Sequence, residues 1–214
     1  MDTLADILVN HGRLIVICFA VPVIPAVIMI LILRNIKEME PFKNLSTFLN
    51  GKFTSNIISA SFKGMHEGFP YTIKLYCSTP YDAETGGSSA ELTIVFERHT
   101  HFTMRVFPEG GAPLANIASL HWYPKIVKTE NPEFDNRFTV YSDDVLPVSN
   151  YLEKPEVQEN IRTLFLSRYM ELHISKNMVR AVKYIGDEGL AFYFDKIRLT
   201  NTIKSLAFLA KSIS

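Results

Sequence analysis

Cysteine is scarce in this 214-residue chain, with only Cys18 and Cys77 present. The first lies in an apolar run and the second well beyond it, so the two are not expected to pair. No disulfide framework is present, which agrees with a cytoplasmic domain. Neither cysteine has zinc-ligand spacing, and Cys77 lacks the adjacent basic cluster that activates a thiol. Net charge is missing as well: 22 Lys and Arg balance 22 Asp and Glu. The first 34 residues hold Asp2 and Asp6 against Arg13 and Arg34, so the rest of the chain is neutral too. A sequence-independent nucleic-acid binder needs a basic excess to displace counterions, and nucleic acid is therefore not an expected partner. Internal repeats and low-complexity tracts are absent. Gly86-Gly87 and Gly110-Gly111 are turn signals rather than phosphate loops. Ser88-Ser89 in GGSSA lacks the strand-turn-helix context of a hydrolase nucleophile.

What is present is Leu14 to Leu33, LIVICFAVPVIPAVIMILIL, twenty residues without a formal charge. At ~1.5 Å per residue this matches the ~30 Å hydrocarbon core of a bilayer. A cleavable signal peptide has a basic leader, a shorter apolar core and a small-residue cleavage site. Here the leader carries Asp2 and Asp6 against Arg13, and the run ends in Arg34-Asn35-Ile36-Lys37. A retained transmembrane anchor is the reading. A fully apolar buried helix is the weaker rival, because it would need protein on every side.

Lys and Arg near the span set its orientation. Arg13 and the α-amine stand before it, and Arg34, Lys37, Lys43 and Lys52 follow. The bias places the C-terminal part in the cytoplasm, at the inner (plasma) membrane. Pro22 and Pro25 interrupt the span as P-V-I-P, where each removes a backbone donor and favours a kink. That kink is either simply tolerated or a packing site for another membrane helix.

Three regions follow: a tail and anchor over 1–34, a partly helical connector over 35–50, and one domain over 51–214. Within the domain, 56–62, 69–76, 91–98, 102–107 and 137–142 alternate as strands, with a short strand at 125–128. Met65–Gly68 reads as a turn. Phe138, Val140 and Ser142 share one face. Asp143 or Asp144 looks like a helix cap, and Pro155 opens a helix whose Val157, Ile161, Leu164 and Phe165 form one apolar stripe. Tyr169–Ser175 is a strand with Met170, Leu172 and Ile174 inward. Lys176-Asn177 turns the chain into Met178–Tyr184, Leu190–Arg198 reads as a further strand, and a helix from about Thr202 to Ile213 closes the chain. The fold class is α+β: one N-terminal transmembrane helix, then a single domain of mainly antiparallel sheet with helices on one face.

The order of RFTVYSDD (137–144), YLEKPEVQENIRTLF (151–165) and alternating strands resembles a family of membrane-anchored bacterial proteins of unknown function. The likeness covers roughly 134–185. Leu152 and Pro155 fall at its Leu-x-x-Pro positions. It implies this fold and membrane tethering, and it supplies no activity and no catalytic residues.

The candidate chemistry has bland and sharp readings. Asp143 and Asp144 could hold a hard cation, yet Asp is a favoured helix cap. His99 and His101, at i and i+2, would need further zinc ligands from His66, His121 or His173. Otherwise they are polar turn residues. His121, Trp122 and Tyr123 are either a ligand-facing or membrane-interface patch or simple loop packing. The last helix carries Ile203, Leu206, Ala207, Ala210 and Ile213 on one face, with Lys204 and Lys211 as its charges. It could lie on anionic lipid or a partner, or pack on its own sheet. No cofactor and no metal site is expected.

The expected function is a single-pass, membrane-anchored, non-catalytic scaffold or accessory subunit of a larger membrane complex. Its partners are the lipid bilayer and other membrane subunits or a second copy of itself. The contact residues would be Pro22, Pro25, Arg34, Lys37, Lys204 and Lys211. The alternatives are a tethered ligand-binding or sensory domain using His121–Tyr123, and a metal-dependent enzyme using Asp143, Asp144, His99 and His101.

Overall fold

Aromatic packing begins with Phe42, near the start of the domain. The structure, a computed structural model, describes residues 40–55, 59–77, 90–110, 125–185 and 194–213. The expected anchor, with Pro22, Pro25, Arg34 and Lys37, lies outside them, as do His121, Trp122 and Tyr123. The chain divides into two compact units, Met1–Glu40 and Pro41–Ser214, and the second is described here. It opens with α1 (Glu40–Lys43) and a 3-10 turn (Asn44–Thr47). Phe42 and Leu45, three residues apart, are both fully buried. The Phe42 ring meets Phe53 at 5.6 Å and Phe194 edge-on at 5.1 Å.

Among the described residues, nine strands make one sheet: β1 (Gly51–Ser55), β2 (Ser59–His66), β3 (Phe69–Cys77), β4 (Ala90–Glu97), β5 (Met104–Pro108), β6 (Lys125–Val127), β7 (Phe138–Ser142), β8 (Glu171–Ser175) and β9 (Met178–Ile185). Their order is β1-β2-β3-β4-β9-β8-β5-β7-β6. Every described pairing is antiparallel. The late β8–β9 hairpin is inserted between β4 and β5, so the centre of the sheet joins residues distant in sequence. The expected turn at Met65–Gly68 is tighter than the sequence suggests. Strand β2 runs to His66, and only Glu67 and Gly68 turn, with φ of 49° and 83°. Two successive positive φ values match the twist of the flanking strands. The short strand β1 was not expected. It pairs with β2 where Gly51 opposes Gly64. A Cβ on Gly64 would come within 2.6 Å of the Tyr71 ring, so glycine there makes room for that ring beside Phe96.

One face of the sheet carries the expected apolar alternation. Ile73, Leu92, Ile94, Phe96, Leu172, Ile174 and Val179 are all 0–1% exposed. Helices α2 (Pro132–Asp135), α3 (Val145–Leu152), α4 (Pro155–Leu166) and α5 (Lys196–Lys211) complete this side. The one-turn helix α2 was not expected. Its Asn131 cap takes hydrogen bonds from the Glu133 and Phe134 amides, and its Nδ2 donates to Gln158 Oε1 at 2.6 Å. In α4 three residues of the predicted stripe, Val157, Ile161 and Leu164, are fully buried, while Phe165 is half-buried against the Phe138 ring.

Two strand expectations change. Leu190–Arg198 does not form a strand at its C-terminal end, because α5 begins at Lys196. Asp195 causes this, its carboxylate accepting from the Arg198 amide at 3.0 Å. Met170 is 42% exposed and precedes β8, whereas Tyr169 is buried. The cause is the end of α4, where Arg168 takes φ 64°. There the Arg168 amide bonds Phe165 O and the Tyr169 amide bonds Leu164 O. This pair of bonds closes a helix with one left-handed residue and redirects the chain.

Helix α5 packs on α4 and on strands β9, β4 and β2. Leu199, Ile203, Leu206, Ala207, Leu209 and Ala210 are buried along it. Full burial of each Leu or Ile contributes about 1.5–3 kcal/mol. Its end is tied down from α3 and the link to α4: Tyr151 Oη donates to Leu209 O at 3.0 Å and Lys154 Nζ to Ser212 O at 3.1 Å. Lys183, on the apolar face, is only 5% exposed. Its ammonium donates to Ser167 O at 3.1 Å and lies 4.6 Å from the Tyr169 ring centroid.

Candidate functional site

Because residues alternate along a strand, the opposite face of the sheet carries the polar half of every strand. Over β1–β3 it bears Lys52, Lys63 and Lys74. Lys52 lies directly opposite Lys63, and both are exposed. Towards the centre the face closes in, with Thr93 and Val182 each 4% exposed.

There the register sets out a row across five strands: Val95 on β4, Arg180 on β9, His173 on β8, Arg105 on β5 and Tyr141 on β7. Two arginines therefore flank one imidazole. Glu171, two residues before His173, lies between the same guanidinium groups. Its Oε1 is 3.7 Å from Arg105 Nε and 3.6 Å from Arg180 Nη2. Both separations exceed hydrogen-bonding distance, so one carboxylate oxygen is shared loosely by two cations. Glu171 Oε1, His173 Nδ1 and Arg180 Nε are buried without any hydrogen-bond partner. The Arg105, Glu171 and Arg180 side chains keep 19%, 14% and 30% of their exposure.

Burial holds the His173 pKa down to about 4, and the neighbouring Arg105 and Arg180 charges push in the same direction. The imidazole is therefore neutral at physiological pH and is a weak base there. Along the same face, burial raises the Tyr184 phenol above its ordinary value, and Glu91 and Glu171 add to the rise while Arg180 opposes it. Glu91 itself accepts from Thr93 Oγ1 at 2.8 Å. The arrangement presents two fixed guanidinium groups and a neutral imidazole, a set suited to holding an anionic oxygen group.

The residues singled out from the sequence are placed elsewhere. Asp144 stands at the cap position of α3 but makes no capping bond there. Its carboxylate accepts from the Thr103 amide at 3.1 Å, and its own amide donates to Ser142 Oγ at 2.9 Å. Ser142 Oγ in turn donates to Thr103 O at 2.6 Å. The carboxylate thus ties the start of β5 to the end of β7. Asp143, His99 and His101 are exposed, and the His101 ring meets Phe102 edge-on at 5.2 Å. Among the described residues, no three His, Cys, Asp or Glu side chains gather as a metal site. Asp143, Asp144, His99 and His101 therefore do not form the metal centre of the metal-dependent alternative. Lys204 and Lys211 are exposed on α5, and Lys211 Nζ is 3.8 Å from Glu67 Oε2. Of the two readings of α5, packing on its own sheet holds for the apolar face: Ile203, Leu206, Ala207, Ala210 and Ile213 are buried. Any external contact of α5 rests on its polar side.

Arg105, Glu171 and Arg180 were missed in the sequence, and His173 was raised only as a possible zinc ligand. The visible signal was the alternation of Glu171 and His173 with Leu172 and Ile174, which marks a polar sheet face. Which strands lie beside it was not visible.

No helix among the described residues is long and apolar enough to cross a membrane, and Leu14–Leu33 lies outside them. The sequence matches no protein-family model and no curated protein. In fold, the chain has a likeness to the crystal structure of the mycobacterial trehalose monomycolate transport factor A, TtfA. The TM-score is 0.44 at 10% identity, over 79% of this chain and 76% of that chain.

Proposed function

We propose that this chain is a single-pass, membrane-anchored, non-catalytic scaffold or accessory subunit of a larger membrane complex, with its α+β domain on the cytoplasmic side. The observation that carries this reading is Leu14–Leu33, twenty uncharged residues followed by Arg34, Lys37, Lys43 and Lys52. The polar residues first suspected of chemistry support it, because Asp144 serves to join β5 to β7. Pro22 and Pro25 are the proposed contacts with a neighbouring membrane helix. The test is purification of the full chain from its own membranes in mild detergent. A partner at fixed stoichiometry is the expected result, and a lone monomer would overturn the reading. Val23→Arg adds a charge at the centre of the proposed span and is expected to move the chain out of the membrane fraction.

A tethered ligand-binding domain is the second reading. It is favoured by the cluster of Arg105, Glu171, His173 and Arg180, in which Glu171 Oε1, His173 Nδ1 and Arg180 Nε are buried without hydrogen-bond partners.

A further inference from the structure

An ion-pair network that only holds a sheet together satisfies its own hydrogen bonds, because an unmet buried donor costs about 1–3 kcal/mol. The row on β9, β8 and β5 does not do so. Two arginines converge on one carboxylate oxygen at 3.6 and 3.7 Å, outside hydrogen-bonding reach. Arg180 Nε and His173 Nδ1 have no acceptor or donor at all. Locally, two cations face one anion. The other carboxylate on this part of the face, Glu91, stands opposite Tyr184 and is engaged by Thr93 Oγ1. The Arg180 side chain keeps 30% of its exposure, so solvent reaches the cluster at this guanidinium.

We infer that Arg105, His173 and Arg180 form an oxyanion subsite that takes a phosphate or carboxylate group beside Glu171. The planar fork of a guanidinium matches the oxygens of such a group, and two forks on neighbouring strands grip it from two sides. A neutral imidazole contributes a further N–H or acceptor without adding charge. Glu171 holds the two arginines in place while the subsite is empty, and it disfavours a ligand carrying more negative charge than the pair can balance. This assignment rests on the ligand-binding reading and does not require the anchor.

The experiment follows the His173 resonance in the full-length chain, labelled with 15N-histidine and held in a non-ionic detergent. The resonance is identified by its loss in His173→Gln. Inorganic phosphate and acetate are titrated in separately at constant ionic strength, with chloride as the control salt. The expected result is a saturable shift with phosphate or acetate and none with chloride. Arg105→Lys and Arg180→Lys, which keep the charge but lose the fork, should each weaken the apparent affinity roughly tenfold. Lys63→Gln, on the same face but three strands away from Arg180, should leave the affinity unchanged. Nanodiscs of phosphatidylcholine with and without phosphatidic acid identify the source. A shift only with phosphatidic acid assigns the group to a lipid headgroup, and a shift with free phosphate or acetate to a soluble ligand. No saturable wild-type shift from any of these, or equal affinities in wild type and both arginine variants, would overturn the subsite. A saturable response to a neutral or cationic metabolite alone would overturn the oxyanion assignment while keeping the ligand-binding reading. The wild-type titration decides the matter even if a variant fails to fold.

Discussion

His173 is where charge, burial and pH meet in this molecule. Its pKa lies near 4 in the folded chain, against an ordinary 6.5, because burial and two arginines disfavour the imidazolium. Between those values the unfolded chain binds a proton that the folded chain refuses. The stability contributed by the neutral imidazole is therefore complete above pH 6.5 and is lost as the pH falls towards 4, on the order of 2–3 kcal/mol. Thermal unfolding at pH 7.5 and 4.5 should show this acid arm flattened in His173→Gln. An unchanged arm would place the titration elsewhere. A second residue-scale effect concerns Glu67, which holds φ at 49° in the two-residue turn between β2 and β3. A left-handed conformation costs a non-glycine residue roughly 1–2 kcal/mol, and asparagine tolerates it better. Glu67→Asn should therefore gain about 0.5–1 kcal/mol in denaturant unfolding. Loss of the exposed pair with Lys211 subtracts a few tenths from that.

Between elements, the sheet carries one visible liability and the helices one visible clamp. Lys52 and Lys63 oppose each other across β1 and β2. Like charges in that position are destabilising, and opposite charges contribute roughly 0.2–1 kcal/mol. Lys63→Glu should raise the denaturation midpoint, with the gain shrinking in high salt. If the variant is no more stable at low salt, the two lysines do not repel in solution. The clamp is Tyr151, whose hydroxyl supplies the Leu209 carbonyl near the end of α5 with a donor. Carbonyls in a last helical turn have no partner within the helix. Tyr151→Phe removes the donor and leaves the ring against Phe102, so it should cost about 1–2 kcal/mol. A neutral result would mean that water replaces the hydroxyl.

At the level of the whole domain, α5 bridges the two halves of the chain over the face of the sheet, where the β4–β9 pairing already joins them. It reaches β2 and β4 from the first half and β9 and α4 from the second. Leu206, fully buried on it, should cost about 2–5 kcal/mol when replaced by alanine. The loss should appear as one cooperative transition by both far-ultraviolet circular dichroism and tyrosine fluorescence. Two separated transitions would mean that the halves fold independently.

The sequence alone was sufficient for the pattern of most of the longer segments, since a strand or helix that buries one side must repeat at two or 3.6 residues. Thus Phe138, Val140 and Ser142 were legible as one face, and Val157, Ile161 and Leu164 as one stripe. Local geometry escaped where one side chain decides it, as Asp195 does in starting α5 at Lys196, and Arg168 in turning Tyr169 inward. The candidate site escaped for a different reason. Arg105, His173 and Arg180 stand in one row only because the β8–β9 hairpin is inserted between β4 and β5. No periodicity within a strand encodes which strand lies beside it. That neighbour is chosen by the packing of the whole core, and with it the meeting of two guanidinium groups around one imidazole.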